Sequence, residues 1–285
     1  MSRIVYVNGE FVPEEDAKIS VFDRGFLFAD AVYEVATILQ EKLIDNNAHL
    51  ARLGRSLGEL AMAPPGPNEQ IIAAQHKLVE LNGVKEGLLY LQVSRGVADR
   101  EFFYPKNPES SLVMFTQEKN LLNNPAAERG INIIAQPDIR WRRRDIKTVG
   151  LLAPCMAKQA AVDAGVDDAW MVEDGYVTEG TSNNAYIVMD NKTIKTRHLG
   201  SEILSGITRV AVLKFAEQAG YNVVEEPFTL NEAKNASEAF ITSASTFVMP
   251  VVSIDGEKIG TGKPGPVVQD LRKIYITTAM ERADL

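Results

Sequence analysis

Residues 7–35 read VNGEFVPEEDAKISVFDRGFLFADAVYEV. Asn8-Gly9 stands between two short β-prone runs, 4–7 and 10–12, and both residues tolerate the positive φ that a tight type I′ turn needs. The chain is therefore expected to open as a hairpin. Further on, residues 26–43 are rich in β-branched and aromatic side chains, and Ala31-Val32-Tyr33-Glu34-Val35 alternates as a half-buried strand does. Polar side chains on one face of such a strand can line a cavity.

Beyond this stretch, Asn46 or Asn47 can cap a helix carrying Leu50, Leu53, Leu57 and Leu60 at helical spacing and stopping at Pro64-Pro65. A second helix is expected over about 69–81, ending at Gly83, followed by strands at 88–93 and 112–116. Residues 1–118 thus form a small α+β domain. The stretch 119–125, KNLLNNP, reads as a linker closed by proline. After it, strands are expected at 131–135, 168–173, 184–189, 221–226, 238–242 and 249–254, with helices at about 154–164, 206–219 and 266–282. That alternation implies a larger, sheet-centred domain over 126–285.

Composition excludes several classes. A net charge of -8 opposes general attraction to nucleic acid, and the run Arg142-Arg143-Arg144 is too short to reverse it. One cysteine, Cys155, rules out an internal disulfide framework, and His49, His76 and His198 lack zinc-like spacing. A reducing, metal-free setting is expected. The N-terminus has no signal-peptide pattern and no segment reaches ~18 uninterrupted apolar residues, so a cytoplasmic protein away from membranes is expected.

Several motifs carry chemistry only in context. Gly260-Thr261-Gly262-Lys263-Pro264-Gly265 fits the dinucleotide glycine pattern, but it follows a hairpin signal, contains a proline and leaves too little chain for a βαβ unit, so a surface loop is expected. Ser205-Gly206-Ile207-Thr208 opens a helix, where amide groups and the helix dipole favour phosphate; the plain alternative is an ordinary cap by Ser205. Thr242-Ser243-Ala244-Ser245-Thr246 is a hydroxyl-rich turn after a strand, which is more often a solvated loop. Lys147 lies between apolar residues just after three arginines, a setting that suits an amine which must be neutral to bond a carbonyl. Glu179 sits in a polar, glycine-containing segment between two strands and would by default be a turn carboxylate.

The order and wording of these segments resemble the fold-type IV pyridoxal-phosphate enzymes, and within them the D-amino-acid transaminases. The matching segments are 7–35, quoted above, DIKTVGLLAPCMAKQAA at 145–161, VTEGTSNNAYIV at 177–188 and ILSGITRVAVL at 203–213. The resemblance implies a two-domain fold of α+β and α/β character with the active site between the domains, and pyridoxal 5′-phosphate as cofactor. It makes Lys147 the residue that holds the cofactor as a Schiff base and shuttles a proton, and Glu179 the partner of the ring nitrogen. It assigns the phosphate to Arg52, to Gly206, Ile207 and Thr208, and to Ser243, Ala244 and Ser245, places Leu204 on a ring face, and puts Arg140 near the phenolic oxygen.

For the substrate carboxylate, the resemblance implies Tyr33 and an arginine two residues before a histidine. Here Arg100 matches the arginine, but Phe102 stands where the histidine would, and Glu101 lies between. Losing that donor weakens carboxylate binding by about 1 to 3 kcal/mol unless another residue supplies it. The implied activity is ping-pong transfer of an amino group from a D-amino acid to a 2-oxo acid such as 2-oxoglutarate or pyruvate. Phe102 motivates an alternative, an R-selective amine transaminase. Branched-chain L-amino-acid transaminase and aminodeoxychorismate lyase share the scaffold, and a non-enzymatic cofactor-binding module is the reading from another class. The family's habit implies a homodimer.

Overall fold

The computed structural model describes residues 2–189 and 192–282, which separate into two units. One comprises the chain through Asn120 together with Ile146–Gly150; the other comprises Leu121–Asp145 and Leu151–Glu281. The lysine segment thus returns to the first unit from within the second, a crossing for which a linear division of the chain has no place.

In the first unit, β1 (Ile4–Val7) and β2 (Glu10–Pro13) pair antiparallel around Asn8 and Gly9, whose φ values are 48° and 103°, as the hairpin signal requires. Then come α1 (Arg24–Phe28), β3 (Ala31–Leu39), β4 (Lys42–Ile44), α2 (Asn46–Glu59), α3 (Asn68–Asn82), β5 (Glu86–Ser94) and β6 (Ser111–Glu118). The strands form one antiparallel sheet in the order β2-β1-β6-β5-β3-β4. Leu50, Leu53 and Leu57 of α2 and Ile71 and Leu78 of α3 are buried with Ile38, Leu89 and Leu91 of the sheet, so the leucine spacing read from the sequence does mark the core face. Three details differ from expectation. The start of the β-rich run, from Phe26, belongs to α1, because Asp23 caps that turn through the amide of Gly25. The residue capping α2 is Asp45, in the left-handed region, and the helix ends at Glu59, before the prolines.

The second unit contains α4 (Pro125–Arg129), β7 (Ile131–Pro137), α5 (Leu152–Asp163), β8 (Asp168–Glu173), β9 (Tyr176–Gly180), β10 (Asn184–Val188) and β11 (Thr193–Thr196). It continues with α6 (Ile207–Gln218), β12 (Asn222–Glu225), α7 (Leu230–Lys234), β13 (Glu238–Ser243), β14 (Phe247–Ile254), β15 (Glu257–Lys258) and α8 (Pro266–Arg282). Its mixed sheet runs β12-β11-β10-β13-β14-β7-β8-β9, with β15 paired to β14. The β11/β12, β14/β7 and β7/β8 pairs are parallel and the rest antiparallel. Every residue of β10 and β14 is buried, as central strands of a covered sheet should be. The glycines of 260–265 lie in the turn between β15 and α8, as expected for a loop entering the last helix. No described helix is long and apolar enough to cross a membrane.

Candidate active site

Each unit carries one part of the expected constellation. In the first, β5 occupies one edge of β3 and β4 covers only the far end of the other. The lysine segment takes the remaining stretch: the Tyr33 amide donates to the Lys147 carbonyl at 3.0 Å, and the Val149 amide to the Ala31 carbonyl at 3.1 Å. Pinned there, Lys147 places Nζ 4.1 Å from the centroid of the Tyr33 ring. Behind it Tyr33 stacks on Tyr90, centroids 5.5 Å apart, and Tyr90 on Phe115 at 4.7 Å. Burial, reinforced by neighbouring Tyr33, pushes the Tyr90 phenol up, so it stays protonated and donates to Gln92 Oε1 at 2.8 Å. Of the arginines ahead of Lys147, Arg143 is bound to Asp145, and Arg144 to Glu173 and Asp138.

Arg52 lies on α2 facing β3, where its guanidinium forks onto Glu34, Nε to Oε1 at 2.8 Å and Nη2 to Oε2 at 2.6 Å. His49, one turn earlier, meets Glu34 Oε2 at 2.7 Å through Nδ1. Burial would raise the Glu34 carboxyl, but these two partners hold it down at about 2. Arg52 is thus a fixed, largely covered cation rather than a solvated helix charge. Arg100 and Phe102 lie on the loop between β5 and β6. The Arg100 guanidinium stands 5.4 Å from the Phe28 ring and 5.7 Å from the Phe102 ring, and no acid pairs with it among the described residues. Such stacking orients a guanidinium while leaving its N–H edge available.

In the second unit Glu179 is not a turn residue: it sits on β9 and is 5 % exposed. Its Oε1 accepts from Arg140 Nη1 at 2.5 Å; its Oε2 accepts from the Asn184 amide at 3.0 Å and the Leu204 backbone N–H at 3.1 Å. Burial pushes this carboxyl up, and Arg140 and the Leu204 amide offset only part of that. Arg140 is also shared with Asp138, which grips its Nε and Nη2 at 3.0 and 2.7 Å, accepts from Thr178 and is ion-paired with Arg144. Its guanidinium therefore also meets the expected ring partner, Glu179.

After Leu204 the chain enters α6. Its N-cap is Gly206 at φ −66°, and no side chain caps the first turn, so the plain reading of Ser205 as the cap does not hold. Thr208 is buried in that turn. The helix packs on β13, at whose end Ser243 Oγ lies 3.2 Å from Ser245 Oγ and 2.8 Å from Thr246 Oγ1. Amide groups at a helix start beside a cluster of hydroxyls suit a phosphate. A buried carboxylate whose burial Arg140 offsets only in part suits a protonated ring nitrogen. The donor set therefore fits pyridoxal phosphate.

Two participants escaped sequence reasoning. Asn184 ties Glu179 to the Leu204 carbonyl, and Asp138 anchors Arg140. A polar residue at the head of an otherwise apolar strand was the signal for the first, and the Asp-x-Arg spacing for the second.

A profile described as Amino-transferase class IV matches residues 31–254. The chain belongs to the class IV aminotransferases, a pyridoxal-phosphate family. Among curated proteins it is similar to the D-alanine aminotransferase of Staphylococcus aureus strain N315, 37 % identical over 94 % of this chain and 95 % of that one. The D-alanine aminotransferase of Bacillus licheniformis matches equally, 37 % over 94 % of each. Among solved structures, a branched-chain amino acid aminotransferase of T.th. with pyridoxamine 5′-phosphate superposes with a TM-score of 0.90 at 27 % identity, covering 100 % of this chain and 96 % of that one. The Escherichia coli branched-chain enzyme shares the fold with a TM-score of 0.90 at 21 % identity, covering 98 % and 95 %.

Proposed function

We propose that this aminotransferase moves the amino group of a D-amino acid to a 2-oxo acid, such as 2-oxoglutarate or pyruvate, in two alternating half-reactions. The reading is supported by 37 % identity over nearly the whole length to D-alanine aminotransferases, against 21–28 % to the branched-chain enzymes. The structural observation that carries it is Arg100, a guanidinium that stands beside the packed Phe28 and Phe102 rings with no acid paired to it among the described residues.

When bound, pyridoxal phosphate supplies an aldehyde carbon for the amino group and a ring that accepts the electrons released at the substrate Cα. Lys147 Nζ would hold that carbon with loss of water until the substrate amine displaces it, and the freed amine would then carry the proton from Cα to C4′. Glu179, clamped by Arg140 and Asn184, would face the ring nitrogen and keep it protonated, with Arg140 near the phenolic oxygen. Leu204 would cover a ring face. Gly206, Ile207 and Thr208, the hydroxyls of Ser243 and Ser245 with the intervening Ala244, and, by the resemblance, Arg52 would hold the phosphate. Tyr33 and Arg100 receive the substrate carboxylate, and Phe102 bounds the space beside it.

The protein works as a cytoplasmic homodimer. Val21, Phe22, Phe102, Phe103 and Tyr104 on neighbouring loops of the first unit, with Phe26 on α1, are exposed large hydrophobic residues, a surface that suits a second copy. A second reading, transfer from R-configured amines, is favoured by the Phe102 ring, 81 % exposed where a hydrogen-bond donor was expected. Rates on D-alanine, L-alanine, L-leucine and R-1-phenylethylamine, followed through the cofactor's visible absorbance, separate these readings. Preference for D-alanine supports the proposal; preference for either L-amino acid or for the amine overturns it.

A further inference from the structure

The loop that carries Arg100 has no regular structure, yet it is gripped from one short helix. Arg24, 3 % exposed, opens α1 and donates from Nη1 to the carbonyls of Glu101 at 2.7 Å and Phe103 at 3.5 Å, the residues on either side of Phe102. Its Nε is fixed on Asp30 Oδ2 at 2.8 Å, and its own amide bonds the Gly96 carbonyl at 2.9 Å. One turn later on the same helix Phe28 lies 4.6 Å from the Arg24 guanidinium and packs on Phe102, ring centroids 5.6 Å apart, and against Arg100. Residues four apart share a helix face, so one turn presents both a guanidinium forked between Asp30 and the loop's backbone and a ring for the loop's side chains.

The grip is anchored at both ends. Asp23 caps α1 and accepts the hydroxyls of Ser94 on β5 and Ser111 on β6 at 2.7 and 2.8 Å. Asp30 is shared with Arg95, whose other donors reach the carbonyls of Leu60 and Ala61 and whose guanidinium lies 3.6 Å from the Tyr104 ring centroid. Two buried arginines on one carboxylate tolerate each other only because each is also satisfied by backbone carbonyls or rings. Removing one leaves a polar hole directly under the substrate loop.

We infer that Arg24 is the positioning residue for substrate-carboxylate recognition: it holds residues 101–103 so that Arg100 and Phe102 stand on Phe28 in a fixed orientation. The inference rests on the D-amino-acid reading of Arg100. Arg24 touches neither substrate nor cofactor in this role; it acts through the loop. A carboxylate-bearing donor or 2-oxo acid should feel its loss, and a donor with the same amine but no carboxylate should not.

The test compares Arg24→Gln and Arg24→Lys with the parent enzyme on D-alanine and D-alaninamide, alongside amide hydrogen exchange. A displaced loop raises the KM for D-alanine by at least about tenfold while the D-alaninamide values move by less than about twofold. In Arg24→Gln the amides of residues 101–104 exchange faster while those of β3 and β5 keep their protection. Arg24→Lys retains the charge beside Asp30 but not the fork, and falls between; it also serves if the glutamine variant does not fold. Equal losses on the two donors, or unchanged exchange at 101–104, overturn the inference. A parent enzyme inert toward D-alanine sinks the functional reading instead, leaving the exchange measurement to decide the grip.

Discussion

Phe102 is the residue at which this chain departs most from the pattern it resembles, and it gives the sharpest single-site expectation. Phe102→His restores a donor two residues from Arg100, so the KM for D-alanine should fall by about tenfold, the ~1.4 kcal/mol of one hydrogen bond, with kcat little changed. Steady-state kinetics decide it; an unchanged KM means the loop does not face the carboxylate. Glu179→Gln keeps the Asn184 and Leu204 contacts but cannot hold a proton on a ring nitrogen. Turnover should drop by at least about a hundredfold in single-turnover absorbance, with the folded state retained. Lys147 and Glu179 were legible as residues because local wording around each is distinctive. The partners that make Glu179 usable, Asn184 and Asp138, were not, because they reach it through strand pairing and side-chain geometry that spacing along the chain does not encode.

At the scale of elements, α6 is where sequence and structure agree most usefully. The glycine before it is required by a neighbour: a Cβ on Gly206 would lie 2.2 Å from Asn184 Oδ1. Gly206→Ala therefore pushes the Asn184 amide off Glu179 and Leu204 and crowds the helix start. Cofactor retention on dialysis should weaken by about tenfold, of the order of one charge-assisted hydrogen bond, while helix content by circular dichroism stays the same. Long elements such as β3, α2 and β14 were readable because apolar spacing runs over several turns or alternations. Short ones, α1, β9 and β11 among them, were not: α1 exists because Asp23 caps a single turn, and β9 and β11 because partners pair with polar segments that by themselves look like turns.

The whole molecule is the scale at which the sequence misleads most, since Ile146–Gly150 belongs with the first unit although both flanks belong with the second. Strand-edge pairing to β3 decides that, and no composition shift marks it. Acid stability is also a property of the whole fold, and Glu34 sets part of it. Its carboxyl is held from an ordinary 4.5 down to about 2 by Arg52 and His49 against the cost of burial. Above pH 4.5 the ionised group contributes about 3 kcal/mol; that contribution fades as the pH falls through 4.5 and is gone below about 2. Acid unfolding followed by circular dichroism should therefore begin at higher pH in Glu34→Gln than in the parent. Light scattering should give twice the chain mass for a homodimer, and a monomer mass at micromolar protein contradicts that part of the proposal.

The central claim is that Lys147 carries the cofactor. Protein incubated with pyridoxal 5′-phosphate, reduced with borohydride and digested should yield a single phosphopyridoxyl peptide, modified at Lys147, and Lys147→Ala should yield none and lose turnover. A label on another lysine, or an active Lys147→Ala enzyme, contradicts the account.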